Sequence, residues 1–150
     1  MRIIRPYTPK DWDAICQIHD LARKKELELA GQEEAFLPLK IAAGREGLFD
    51  CTILVCQDDK AVTGFVAFRD EELAWLYVHP DHTRRGIGRE LAEQALEQMS
   101  DGSKTVEVLL GNEPARRLYR SLGFSDGIML SGHMPGNESY YVTVYQMTMG

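Results

Sequence analysis

No apolar run in these 150 residues is long enough to cross a bilayer, which argues against a helical membrane protein. The chain does not open on a charged-then-apolar leader with a cleavage site, so export is not expected and a cytoplasmic location is. Cysteine is scarce. Cys16, Cys51 and Cys56 are odd in number and lack metal-ligand spacing, which predicts reduced, semi-buried thiols rather than a disulfide framework or a zinc motif. His19, His79, His82 and His133 are scattered without a ligand pair at helical spacing, so no metal is expected. Positive charge is also in deficit: 17 Lys and Arg against 23 Asp and Glu leave a net charge of −6, which argues against nucleic acid as a partner. What is plentiful is apolar residues, 44% of the total, enough for one domain spanning residues 1–150 with a real core.

The basic residues that exist are concentrated where they are informative. Leu73 to Val78 reads as a strand, and Pro80 stops it because it has no N–H to donate to a ladder. From Ile87 the apolar positions Ile87, Leu91, Ala95 and Met99 recur every four residues, which predicts a helix. Between them lies Thr83-Arg84-Arg85-Gly86-Ile87-Gly88-Arg89. A strand, a glycine turn and a helix N-terminus together make an anion site, because free backbone N–H groups and the helix dipole converge there. Gly86 and Gly88 permit close approach, while Arg84, Arg85 and Arg89 supply charge for a polyanion. The glycine spacing fits neither a dinucleotide fingerprint, since Leu91 stands where a third glycine belongs, nor a Gly-Lys-Ser/Thr triphosphate loop. A kinase or other nucleotide binder is therefore a weaker reading of this loop.

A second element lies at residues 112–124. Asn112 is a good helix N-cap, Pro114 falls in the first turn, Gly123 is placed for a left-handed C′ residue, and Phe124 can pack back on Leu118 or Tyr119. The two segments together resemble the GCN5-related N-acetyltransferases. That family's pyrophosphate loop, Gln/Arg-x-x-Gly-x-Gly/Ala, aligns with Thr83 to Gly88, with Thr83 a departure at the first position. The family's second cofactor element, Asn-x-x-Ala-x-x-x-Tyr-x-x-x-Gly-Phe, is matched at every named position by Asn112, Ala115, Tyr119, Gly123 and Phe124. The resemblance spans the chain in element order, although only these two motifs are specific.

Around the motifs the chain reads as β-α-α-β-β-β-α-β-α-β-β. Thr8-Pro9-Lys10-Asp11 starts the first helix, Arg23 to Glu28 is its solvated end, and a second helix is expected at 33–43. Gly64 inside its strand marks a bulge or a close backbone approach. The expected fold is thus α/β (α+β), with a mixed, mostly antiparallel twisted sheet of about seven strands flanked by four helices.

The resemblance implies an acetyl-CoA-dependent N-acetyltransferase acting on a primary amine, with acetyl-CoA as co-substrate. A non-catalytic acetyl-CoA sensor or interaction module is the alternative. It also implies roles for particular residues. The backbone of Leu76, Tyr77 and Val78 would pair with the pantetheine arm and supply the oxyanion donor. The loop Arg84, Arg85, Gly86, Ile87, Gly88 and Arg89 would hold the pyrophosphate. Asn112 and Ala115 would meet the pantetheine, and Tyr119 would protonate or hydrogen-bond the departing thiolate. Glu72 occupies the place of the family's strand glutamate base. Period-two alternation would put it on one face with Ala74, Leu76 and Val78, while Glu107, His82 or no dedicated base are the other options. Tyr77, Tyr140 and Tyr141 are candidates for an acceptor pocket. Glu26, Glu28, Glu33 and Glu34 would suit a cationic amine as acceptor, or form a solvated helix face. Assembly as a homodimer stays open.

Overall fold

The first helix starts where the sequence signals it. The Thr8 backbone N–H donates to Asp11 Oδ2 at 2.8 Å, and the Asp11 N–H donates back to the Thr8 carbonyl at 2.8 Å. Arg5 clamps the same carboxylate with two hydrogen bonds at 2.9 and 2.8 Å, which holds Asp11 below the usual carboxylate range. The computed structural model describes residues 1–150. Its elements are β1 (Arg2–Pro6), α1 (Trp12–Leu29), α2 (Leu39–Arg45), β2 (Thr52–Asp58), β3 (Ala61–Phe68) and β4 (Leu73–Val78). They continue with α3 (Ile87–Gln98), β5 (Lys104–Leu109), α4 (Glu113–Ser121), β6 (Ser125–Met134) and β7 (Asn137–Met149). Order and number are those expected. The helix expected at 33–43 instead divides into a 3-10 turn at Glu33–Ala35 and α2 from Leu39. Pro38 is the reason, since a proline has no N–H to continue a helix and pushes the residue before it out of helical space. Asp20 of α1 then accepts the Leu39 N–H at 2.9 Å, so α1 caps α2.

The strands form two antiparallel sheets, β1-β2-β3-β4 and β5-β7-β6. A parallel bridge between Glu72 and Thr105 joins them, with the Thr105 N–H donating to the Glu71 carbonyl at 2.8 Å. Beyond that point β4 and β5 pair with nothing on their facing edges, and a wedge opens.

Strand alternation divides the core. Leu54, Cys56, Val66 and Phe68 face α3 and α4, together with Ile87, Leu91, Ala95 and Met99. Ile53, Val55, Phe65 and Ala67 face α1 and α2, against Ile15, Ile18, Leu39 and Ala42. Each large side chain in these layers contributes about 1.5–3 kcal/mol by leaving water. A Cβ on Gly64 would come within 3.0 Å of both Leu91 Cδ1 and the Tyr77 carbonyl, so its bare backbone lets α3 lie directly on the sheet.

One irregularity changes the reading of β4. Ala67 pairs with Trp75 while its neighbour Phe68 pairs with Leu73, so Ala74 is an extra residue on β4, a β-bulge. Leu73 therefore joins Leu76 and Val78 on the α3 side, whereas Ala74, Trp75 and Tyr77 pack on the α1 side. The unbroken alternation expected to place Glu72 with Ala74, Leu76 and Val78 does not hold, because the bulge resets the phase.

Candidate active site

The wedge between β4 and β5 widens into a cleft of about 820 Å³, walled by α1, α3, α4 and the two strand edges. Its outer end is the basic loop. A 3-10 turn at Pro80–His82 leads into Arg84 with φ of 64° and Gly86 with φ of 78°, and Gly86 is the N-cap of α3. Gly86 as N-cap leaves α3 with first-turn N–H groups that have no helical carbonyl. An arginine held left-handed stores strain at the site.

The loop is braced from outside. Arg2 of β1 donates to the Arg85 carbonyl at 2.9 Å and pairs with Glu90 at 2.7 Å. Thr83 closes the turn by donating from Oγ1 to the Pro80 carbonyl at 3.2 Å, which gives this departure from the family pattern a local role. Arg89 donates to Ser121 Oγ at 2.6 Å and so ties α3 to α4.

Helix α4 is capped at both ends by its own sequence. Asn112 Oδ1 accepts the Ala115 N–H at 3.3 Å. At the other end the Gly123 N–H donates to the Arg120 carbonyl and the Phe124 N–H to the Tyr119 carbonyl, both at 3.0 Å, with Gly123 at φ of 108°. This is a Schellman motif, and the expected hydrophobic contact accompanies it: the Phe124 and Tyr119 rings meet edge-on at 5.7 Å. Tyr119 is 6% exposed and reaches the cleft, and burial, with the Glu26 charge second, pushes its phenol well above the ordinary range.

The cleft brings together most of the residues picked from the sequence. The β4 segment Leu76, Tyr77 and Val78, the loop residues Arg84, Gly86, Ile87, Gly88 and Arg89, and Asn112, Ala115 and Tyr119 all line it. Arg85 does not; its guanidinium sits 3.1 Å from His82 Nδ1. Glu72 does not either: it pairs with Arg69 at 3.0 Å and is 40% exposed. Of the acceptor-side tyrosines only Tyr77 lines the cleft, and Tyr141 points to solvent.

Glu107 lines it. Val106 and Val108 bury on the α3 side, so Glu107 projects from β5 toward the side of α1 and α2. Glu107 is exposed to solvent in the open cleft, and partial desolvation by the walls, and next the Glu72 charge, raise its carboxyl above the usual range.

The inner end was not legible from motifs. Helix α1 brings His19, Arg23 and Glu26 to the cleft, and Glu46 follows α2. The segment Arg23 to Glu28 is therefore solvated on one side only, where Lys24, Lys25 and Glu28 are exposed. Leu27 is fully buried, and Arg23 and Glu26 are mostly covered. The signal was the spacing itself, since positions 19, 23 and 26 continue the apolar stripe of Ile15 at i+4, i+8 and i+11. His19 is buried beside Trp75 and edge-on to Tyr77, and burial lowers its imidazole below the ordinary value despite Asp20 at 2.9 Å. The three cysteines are free and no cluster of three metal-ligating side chains occurs. No helix is long and apolar enough to cross a membrane.

An anion loop at a helix N-terminus, strand edges parted beside it and a buried tyrosine on the next helix make a cleft suited to a ligand with an anionic end. Comparison with known proteins gives it a family. Residues 49–126 match the acetyltransferase (GNAT) domain, and the chain belongs to that family. It is accordingly an acetyl-CoA-dependent N-acetyltransferase, with acetyl-CoA as co-substrate. The [ribosomal protein bS18]-alanine N-acetyltransferase of Salmonella typhimurium is 28% identical over 94% of this chain and 92% of its own. The L-amino acid N-acyltransferase MnaT of Escherichia coli is 32% identical over 48% of this chain, and the match spans about half (49%) of MnaT. In fold, the chain resembles a GCN5-related N-acetyltransferase of Rhodopseudomonas palustris. The TM-score is 0.80 at 21% identity, covering 100% of this chain and 96% of that one.

Proposed function

We propose that the chain acetylates an α-amine, that of a free amino acid or of a protein N-terminus, with Glu107 as base and Tyr119 as acid. The observation that carries this reading is the placement of those two side chains along one cleft, on β5 and α4, beside the unpaired edge of β4. The α-amine is the chemistry common to the names of both curated relatives, one acting on L-amino acids and the other on a protein alanine.

The arrangement supports direct transfer. First-turn amides of α3 and the side chains of Arg84 and Arg89 hold the pyrophosphate. Gly88 leaves a gap beside Val78 and Leu118, since a Cβ there would reach them at 3.6 and 3.8 Å. The acetyl carbonyl lies along the edge of β4, where an amide of Leu76, Tyr77 or Val78 receives the oxyanion. Glu107, ionised, takes a proton from the ammonium directly or through water, so that the neutral amine attacks the thioester carbon. As the tetrahedral adduct collapses, the carbon–sulfur bond breaks and the Tyr119 hydroxyl protonates or hydrogen-bonds the thiolate. The products are an amide and free coenzyme A. The absence of a disulfide among Cys16, Cys51 and Cys56 supports a cytoplasmic location for this enzyme.

The test is thiol release from acetyl-CoA with three acceptors: free L-amino acids, a peptide with a free N-terminal alanine, and the same peptide N-terminally blocked but carrying lysine. Turnover with either of the first two and not with the third supports the reading. Turnover confined to the lysine peptide refutes the α-amine assignment, and coenzyme A binding without turnover on any amine would revive the sensor.

A further inference from the structure

Glu26 belongs to neither cofactor motif, yet it is the most heavily used carboxylate in the cleft. It pairs with the guanidinium of Arg23 one turn earlier on α1. It accepts the Tyr77 hydroxyl of β4 at 3.0 Å and the Asn112 Nδ2 amide at the N-terminus of α4 at 3.1 Å. Three walls of the cleft thus converge on one side chain. The turn that leads into α4 lies close against the end of α1, because a Cβ on Gly111 would lie 2.4 Å from the Leu29 carbonyl.

The direction of the Asn112 amide follows from these partners. Its Oδ1 is committed to the Ala115 N–H and its Nδ2 to Glu26. Turned over, the oxygen would face a carboxylate and the NH₂ would face an N–H donor, and both contacts would be repulsive. A carboxylate ringed by three donors serves as a fixed acceptor, and removing it would take the acceptor at once from the buried Asn112 amide and from the partly buried Tyr77 hydroxyl and Arg23 guanidinium.

We propose that Glu26 is a positioning residue that holds Asn112 in its pantetheine-facing orientation and locks the acceptor helix α1 and strand β4 to the cofactor helix α4. The proposal rests on the cofactor role assigned to Asn112. Acting through Asn112, Glu26 governs acetyl-CoA affinity without touching the reacting atoms.

The experiment is a double-mutant cycle read by calorimetric titration of the protein with coenzyme A. It compares the parent, Glu26→Gln, Asn112→Ala and the double variant, with melting temperatures alongside. Glu26→Gln keeps the size and one acceptor oxygen, so it is the variant expected to stay folded; Glu26→Ala repeats the cycle without the oxygen. Each single change should weaken coenzyme A by about tenfold, and the double variant should bind no more weakly than Asn112→Ala alone, because coupled residues fail to add. The KM for acetyl-CoA should rise while kcat at saturation stays within about twofold. Losses that multiply to about a hundredfold, or parental affinity in both Glu26 variants, overturn the positioning role alone. Parental affinity in Asn112→Ala overturns the cofactor assignment of Asn112 and the positioning role with it.

Discussion

Replacing Tyr119 by phenylalanine separates chemistry from packing, because the structure lets the two be weighed independently. The ring is 6% exposed and packs edge-on against Phe124 at 5.7 Å, and phenylalanine keeps that packing. The phenol oxygen adjoins the cleft and is not among the buried polar atoms left without a partner, so its loss opens little space and orphans no protein group. Stability should therefore change by less than about 0.5 kcal/mol. Coenzyme A affinity should also hold, since the ring and its place in the cleft wall are retained. Turnover should not hold. A positioned acid is worth ~10² or more in rate, which corresponds to about 2.7 kcal/mol of transition-state stabilisation. Burial keeps this phenol protonated throughout the working pH range, so the deficit should be equal at acid and alkaline pH. The assay is thiol release with the best acceptor, together with calorimetric affinity and a melting curve. Turnover within about threefold of the parent would refute the reasoning. Tyr119 would then be packing only, with transfer resting on approximation of amine and thioester and water carrying both protons.

Two further outcomes bear on the base and the loop. Glu107 acts ionised and its carboxyl is raised by desolvation and then by Glu72, so kcat/KM should fall as pH drops through a point above the ordinary carboxylate range. Glu107→Gln should remove that limb with a loss of ~10², whereas Glu72→Gln should move the limb to lower pH by removing a negative neighbour; a limb abolished by Glu72→Gln would make Glu72 the base. Gly86→Glu should eliminate coenzyme A binding by placing a carboxylate where α3 receives phosphate, at a stability cost of about 1–2 kcal/mol for a side chain at φ of 78°. There is room for it, since a Cβ there meets only Arg2 Nη2 at 3.9 Å, so Gly86→Ala should carry the strain and still bind, and a Gly86→Glu protein that binds like the parent would place the phosphates elsewhere.

Element order, the anion loop and both caps of α4 were determined by sequence alone, because each is local. Gly86 and Gly123 allow left-handed backbone, the Asn112 side-chain oxygen and the Asp11 carboxylate accept end amides, and the four-residue apolar spacing of α3 decides its buried face. What the sequence could not decide is non-local. The extra residue at Ala74 becomes visible only when β4 is registered against β3, and it reverses the face on which Glu72 stands. The divergence of β4 from β5 after the Glu72–Thr105 bridge turns Glu107 from an ordinary strand residue into a cleft carboxylate. Glu26 read as one acid in a charged run, since residues 26, 77 and 112 become neighbours only when three elements pack together. Caps and turns are properties of adjacent residues, whereas pairing across 50 to 90 positions is set by how the sheets and helices close on one another.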